Sequence, residues 1–149
     1  MNNFTFSPIS HGHIPLLLEM MEDFYKIDGY PFDSTLARKN FLEFIEKEHL
    51  GRGWIILSGG SVIGYLLLCF GFSFEFGGRN AFLDELFIRE KYRGQGAGSL
   101  AVKFVISEAP NHGVKALHLE VELTNDKALA LYRRHGFKEH KRRLMTLRF

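Results

Sequence analysis
The stretch "YRGQGAGSL", Tyr92 to Leu100, sets glycine at positions 94, 96 and 98 directly behind Arg93. Glycine that dense costs conformational entropy, so the backbone there must either turn sharply or be approached closely by something. A helical pattern follows at once, with Ala97, Leu100, Ala101, Phe104 and Val105 on one stripe. A loop entering a helix in this way aims unpaired N–H groups at one point, where the helix dipole also favours an anion. Three loop types bind phosphates like this. A P-loop needs Lys-Ser/Thr after its last glycine, and none follows. A dinucleotide fingerprint needs a third glycine at position 99, which is serine, and expects the motif after the first strand. The remaining pattern is Arg93-x-x-Gly96-x-Gly98, with a pyrophosphate held by bare backbone. A glycine-rich turn with no ligand is the plain alternative.

Working outward, the chain reads as alternating elements without repeats or linkers. "NFTFSPI" is a first strand. Ser10 caps a helix through "IPLLLEMMEDFY", with Pro15 in its first turn, and Gly29 and Pro31 end it. Ser34 opens a second helix carrying Leu36, Phe41, Phe44 and Ile45. "GWIILSGGSVIGYLLLCFGFSFEF" is two strands joined at Gly59-Gly60, and "GGRN" turns the chain into "AFLDELFI". "VKALHLEVEL" is a strand, "NDKALALYRRH" a helix ended by Gly136, and "RRLMTLRF" a last alternating strand. The predicted order is β-α-α-β-β-β-α-β-α-β, a mixed α/β fold in one domain over residues 1–149. Leu66, Leu68, Phe70, Phe72, Phe74 and Phe76 alternate on one face, which predicts a covered core face. The tip beyond Phe72 is a candidate for a pocket lining or a subunit contact, so a homodimer stays open.

Composition narrows the function. With 46% hydrophobic and 24% charged residues the chain reads as a soluble globular protein, and its net charge of +2 gives no argument for nucleic acid. The basic run "KEHKRR" reads as a solvated strand flank. The single cysteine, Cys69, excludes an internal disulfide and reads as a small core residue rather than a nucleophile. "MNNFTFSPIS" lacks the charge and apolar run of a signal peptide, and no apolar run is long enough to span a membrane. These readings predict a cytoplasmic protein. His11 and His13 have the spacing of a small metal clip but no visible partner ligands, so no metal is expected.

"FLDELFIREKYRGQGAGSL" followed by "VELTNDKALALYRRHGF" resembles the GNAT superfamily of acetyl-CoA-dependent N-acetyltransferases, and within it most nearly the diamine acetyltransferases. The resemblance lies in the acidic "LDELFI" strand, the Arg93–Gly98 loop, and Asn125 with Tyr132 before Gly136-Phe137. It implies a single domain with a mixed six- to seven-stranded sheet and helices on both faces. It also implies that the loop of Arg93, Gly94, Gln95, Gly96, Ala97, Gly98 and Ser99 holds the pyrophosphate of coenzyme A. Main-chain groups of Leu86, Phe87 and Ile88 would bind the pantetheine arm, with further contacts at Asn125, Lys127 and Ala128. Tyr132 matches the tyrosine that protonates the departing thiolate. A phenol of pKa about 10 can do so without strong perturbation, although a helix-face aromatic packing on the sheet would look the same in sequence.

The acceptor side rests on acids. An alkylamine of pKa about 10 is neutral in only roughly one part in several hundred near pH 7.5, so a carboxylate that binds the ammonium and relays its proton would serve. Asp84 and Glu85 are the candidates. In an unbroken strand only one could face the site, whereas a bulge would relax that rule. The resemblance favours Asp84 as the substrate contact. Glu120 and Glu122 share a face with His118 and form either an acidic acceptor wall or a polar strand edge. Tyr25, Asp28 and Tyr30 lie where the family's first two helices cover the acceptor, and could equally be a turn. The implied reaction is acetyl transfer to a primary amine of a small cationic acceptor by direct attack in a ternary complex. Acetylation of an aminoglycoside, amino acid or protein amine is the nearest rival, and a non-catalytic acyl-CoA sensor is a rival of another class.

Overall fold
The hairpin at Gly59-Gly60 forms because both residues take the left-handed backbone that a tight two-residue turn requires, with φ of 55° and 81°. It joins β2 (Gly51–Ser58) to β3 (Ser61–Ser73). In the computed structural model, which describes residues 3–149, β1 (Phe4–Pro8) pairs antiparallel with β2, and β4 (Gly78–Ile88) pairs antiparallel with β3. A short β5 (Ala116–His118) joins β4 in parallel, giving the order β1-β2-β3-β4-β5. Met1 and Asn2, part of the segment read for a leader signal, lie outside the described residues.

Period-two alternation splits the sheet into two cores. On one face Trp54, Ile56, Leu66, Leu68, Ala81 and Leu83 meet Ala97, Ala101 and Val105 of α3 (Ala97–Glu108). On the other, Ile55, Tyr65, Leu67 and Phe87 meet Leu17, Met20 and Met21 of α1 (Ile14–Asp28) and Phe41 of α2 (Ser34–Glu46). Each large side chain so buried contributes about 1.5–3 kcal/mol. Two helix starts differ from the sequence reading: Ser10 precedes a short 3-10 turn, His11–His13, so the N-cap of α1 is His13, and the second helix starts from Asp33 instead of Ser34. Pro15 sits in the first turn of α1, and Gly29 closes it at φ 70°. Asp33, one residue before the expected cap, accepts the Leu36 N–H at 3.0 Å. Asn125 caps α4 (Asp126–Arg134) by accepting the Ala128 N–H at 3.1 Å.

The sheet has five strands among the described residues, not six or seven, and the element order ends at α4. "RRLMTLRF" forms no strand, because alternation supplies side chains for two faces but not the neighbouring edge that its N–H and C=O groups need. The strand expected over "VKALHLEVEL" is hydrogen-bonded only over Ala116–His118. The aromatic stripe is a covered face as far as Phe70. Phe72 and Phe74 at the hairpin tip are 71% and 94% exposed. Leu36 and Leu100 also face solvent.

Candidate active site
β4 and β5 touch only where Asn80–Phe82 runs beside Ala116–His118. Beyond that short ladder the outer edge of β4, from Leu83 to Ile88, pairs with no described strand. Leu86, Ile88, Leu119 and Tyr132 pack against the α3-side core. The glycine loop follows the end of β4 after the turn Glu90–Tyr92. Gly94 and Gly96 take φ of 73° and 88°, so both are glycine for conformational reasons, and Gly96 is the N-terminal residue from which α3 starts. Gly98 is different. Its φ is not left-handed, and a Cβ there would meet only Leu131 Cδ2 at 3.8 Å. Among the described residues, nothing requires glycine at 98.

The loop is braced from both sides. Arg93 Nε donates to the Ile88 carbonyl at 2.8 Å, with its guanidinium 5.7 Å from the Phe87 ring centroid. Gln95 Nε2 donates to the Lys91 carbonyl at 3.0 Å. Ser99 Oγ lies 2.9 Å from His135 Nε2, a tie between the first turn of α3 and the end of α4. His135 was not among the residues singled out in the sequence, where it reads only as the end of a helix. Asn125 is placed as a helix cap and Ala128 as its donor, while Lys127 lies on the exposed first turn of α4. Tyr132 packs edge-on against Phe137 with centroids 5.9 Å apart, and burial pushes its phenol above the ordinary value of 10.

A bulge decides the acids. Leu67 pairs with Glu85 and Leu68 with Leu83, so Asp84 is the extra residue and alternation resets across it. Leu83 therefore faces the α3 side while Glu85 and Phe87 face the α1 side. Glu85 accepts from the Tyr25 hydroxyl at 2.7 Å through Oε2 and from the Tyr65 hydroxyl at 2.6 Å through Oε1. Burial raises the Glu85 carboxyl above its ordinary value, and the two phenol hydrogen bonds oppose that shift. Both phenols are in turn raised by burial and by the Glu85 charge. Asp84 keeps an exposed flank, yet protein on its other sides raises its carboxyl too, with a hydrogen bond from Cys69 opposing the shift. Cys69 is pushed up to about 12 by burial and by the charges of Asp84 and Glu85, so it carries no thiolate near neutral pH.

The remaining acceptor-side candidates gather above these acids. Tyr30 donates to Glu122, closing the α1–α2 connection over the segment that follows β5, and Asp28 and Glu120 both act on the same phenol. Tyr25 packs edge-on against Tyr30 and Phe32, with centroids 6.5 and 5.8 Å away. An open pocket of about 570 Å³ lies beside them, lined by Asp23, Ile27, Phe87, Arg89, Lys91 and Arg93 among others. A smaller hollow of about 320 Å³ between α2 and β2 includes none of the candidate residues. Tyr65 is the functional candidate that sequence missed. Its only signal was a phenol at a core position of an apolar strand, which must find a buried partner. His11 lies 3.7 Å from Glu46 and His13 bonds Ser10, so the two histidines serve separate local contacts.

The family model described as the acetyltransferase (GNAT) family matches residues 17–137. The chain belongs to the GNAT family. This GNAT chain is 37% identical over 81 residues to the thialysine N-epsilon-acetyltransferase of Bos taurus, a match covering 54% of the chain and 47% of that protein. The chain thus spans about half the length of that curated relative. Among solved structures, an integron cassette protein from the mobile metagenome of Cole Harbour Salt Marsh superposes with a TM-score of 0.86. It is 33% identical, and the alignment covers 96% of this chain and 89% of that one. An aminoglycoside N-acetyltransferase in complex with CoA shares the GNAT fold, with a TM-score of 0.82 at 15% identity over 99% of this chain and 96% of that one.

Proposed function
We propose that this GNAT chain is an acetyl-CoA-dependent N-acetyltransferase that acetylates a primary amine of a small, cationic acceptor by direct attack in a ternary complex. The observation that carries the reading is that the outer edge of β4, from Leu83 to Ile88, pairs with no described strand just ahead of the Arg93–Ser99 loop. That edge offers main-chain donors and acceptors of Leu86, Phe87 and Ile88 to an extended thioester arm, while the first turn of α3 takes the pyrophosphate. A backbone N–H on this edge would hold the developing oxyanion.

On the acceptor side, Asp84 is the carboxylate with a free flank, and it binds the ammonium. Glu85, with both oxygens held by phenols, adds a fixed negative charge behind it and takes the amine proton through water. Because burial raises both carboxyls, each is a stronger base than an exposed acid. The neutral amine nitrogen then bonds to the thioester carbonyl carbon, the C–S bond breaks, and Tyr132 gives its proton to the thiolate. Tyr25, Asp28, Tyr30, Glu120 and Glu122 form the wall around the acceptor. With the Cys69 thiol protonated, nothing favours a covalent acetyl-enzyme. The named relatives support an amine acceptor, as one carries thialysine in its name and another is an aminoglycoside enzyme. A free cysteine and the lack of any helix long and apolar enough to cross a membrane among the described residues are in keeping with a cytoplasmic enzyme.

The deciding experiment measures coenzyme thiol release from acetyl-CoA across a panel of amines. Turnover with small di- and monoamines is expected. A chain that binds acetyl-CoA but releases no thiol with any amine is a sensor, and the enzyme reading fails.

A further inference from the structure
The first turn of α3 and the end of α4 meet through two side chains of α4. Leu131 lies beside Gly98, where an added Cβ would stand 3.8 Å from Leu131 Cδ2. One helical turn later, on the same face, His135 Nε2 comes within 2.9 Å of Ser99 Oγ. The main chain of His135 is fixed as well. Its N–H donates to the Tyr132 carbonyl at 3.0 Å, and Gly136 turns the chain away behind it at φ 92°. The imidazole is thus carried to Ser99 by the end of a helix, and both residues are half-buried.

Ser99 stands where an anion would be met. The first helical bond of α3 runs from the Leu100 N–H to the Gly96 carbonyl at 3.0 Å, so the N–H groups of Ala97, Gly98 and Ser99 lie ahead of the ladder. Of these three residues only Ser99 carries a hydroxyl. Side chains of a helix tilt toward its N-terminus, so Oγ leans toward the same open end. A serine hydroxyl has one hydrogen and two lone pairs. With the imidazole proton on Nε2, His135 donates to Oγ and the serine hydrogen is left for an acceptor in front of α3. With Nε2 bare, the serine hydrogen is engaged by the ring and Oγ turns only lone pairs outward. An anion at the helix end selects the first arrangement.

We propose that His135 is a positioning residue for the coenzyme: it donates from Nε2 to Ser99 Oγ and so aims the serine hydrogen at the pyrophosphate in front of α3. The inference rests on the reading of the Arg93–Ser99 loop as the pyrophosphate site. His135 itself touches neither the thioester nor the amine, so its effect falls on coenzyme affinity and not on the chemical step.

Three substitutions in the full chain test this. His135→Leu removes the donor, His135→Gln carries an amide N–H to nearly the place of Nε2, and Ser99→Ala removes the hydroxyl. In protein with wild-type circular dichroism, His135→Leu and Ser99→Ala should each weaken acetyl-CoA binding about tenfold by calorimetry, the order expected of one hydrogen bond to a charged group. The double variant should lose no more than either alone, because both act through one bond. His135→Gln should bind acetyl-CoA nearly as wild type does. S-acetylpantetheine, which ends before the pyrophosphate, should release thiol to an accepted amine equally well with wild type and His135→Leu. Unchanged acetyl-CoA affinity in His135→Leu and Ser99→Ala overturns the inference. So does a His135→Gln variant as weak as His135→Leu. An equal loss on S-acetylpantetheine also overturns it, since the bond would then serve only to seat α4 and Tyr132. If the wild type itself binds no acetyl-CoA, the coenzyme reading falls and the inference falls with it.

Discussion
The Tyr65 hydroxyl donates to Glu85 Oε1 at 2.6 Å across the β3–β4 pair, and it does so because the Asp84 bulge turns Glu85 toward the same side of the sheet. In a regular strand that kept Asp84 in register, alternation from Leu83 would put Asp84 on the α1 side and turn Glu85 toward α3, away from Tyr65.

Tyr65→Phe should therefore destabilise the fold by about 1.5–3 kcal/mol, the usual worth of a hydrogen bond to a charged group. The lost bond is one that favours ionised Glu85, so the variant's carboxyl rises further. The loss should be small in acid, where Glu85 is protonated in both proteins, and grow as pH climbs. Urea unfolding at several pH values reads this directly, and a pH-independent loss would show that the phenol matters only for packing.

Glu85→Gln tests the same group from the other direction. A carboxyl whose folded pKa is raised binds its proton more tightly when folded, so its contribution to stability falls as pH rises from about 4.5 through the folded pKa, then levels off. The melting temperature of the variant relative to wild type should rise across that window. If the difference declines with pH instead, Glu85 is stabilised as an anion and the account of its environment is wrong.

Gly98→Val is the clean probe of the loop, because glycine is not needed there for conformation and a side chain has room beside Leu131. The folded variant should keep its melting temperature and bind acetyl-CoA at least tenfold more weakly, about 1.4 kcal/mol. Gly96→Val would confuse two effects, since residue 96 is left-handed. Unchanged affinity by calorimetry in the Gly98 variant would move the coenzyme elsewhere.

Tyr132→Phe should lower turnover by about 10²- to 10⁴-fold while leaving acetyl-CoA affinity nearly intact. Its hydroxyl bonds to no described residue, so stability should change little. An unchanged rate, with acetyl transfer shown to limit it, would leave Tyr132 as a packing residue.

Asp84→Asn should raise KM for diamines more than for monoamines, because the second cationic centre depends most on the acidic wall. Added salt should weaken the preference for cationic acceptors, as the site is partly solvated. Rates should climb with pH as the bound ammonium loses its proton. Equal activity on cationic and acidic amines would leave acetyl transfer standing and remove the cationic acceptor.

Local chemistry made much of this protein legible in its sequence. The paired glycines at 59 and 60, Pro15, Gly29 and Asn125 each act within one turn of chain, so the helices and hairpins could be read nearly in place. The turn at the glycine loop was legible for the same reason, since glycine at 94 and 96 answers a local backbone demand. What tertiary structure decided was everything that depends on register and on neighbours. Whether Asp84 and Glu85 share a face turned on one bulged residue, which alternation alone cannot locate. The link from Tyr65 to Glu85 joins two strands, and the link from Tyr30 to Glu122 crosses 92 positions of sequence. The alternating "RRLMTLRF" carries the pattern of a strand, but a strand exists only where another edge completes its hydrogen bonds, and no described strand pairs with it.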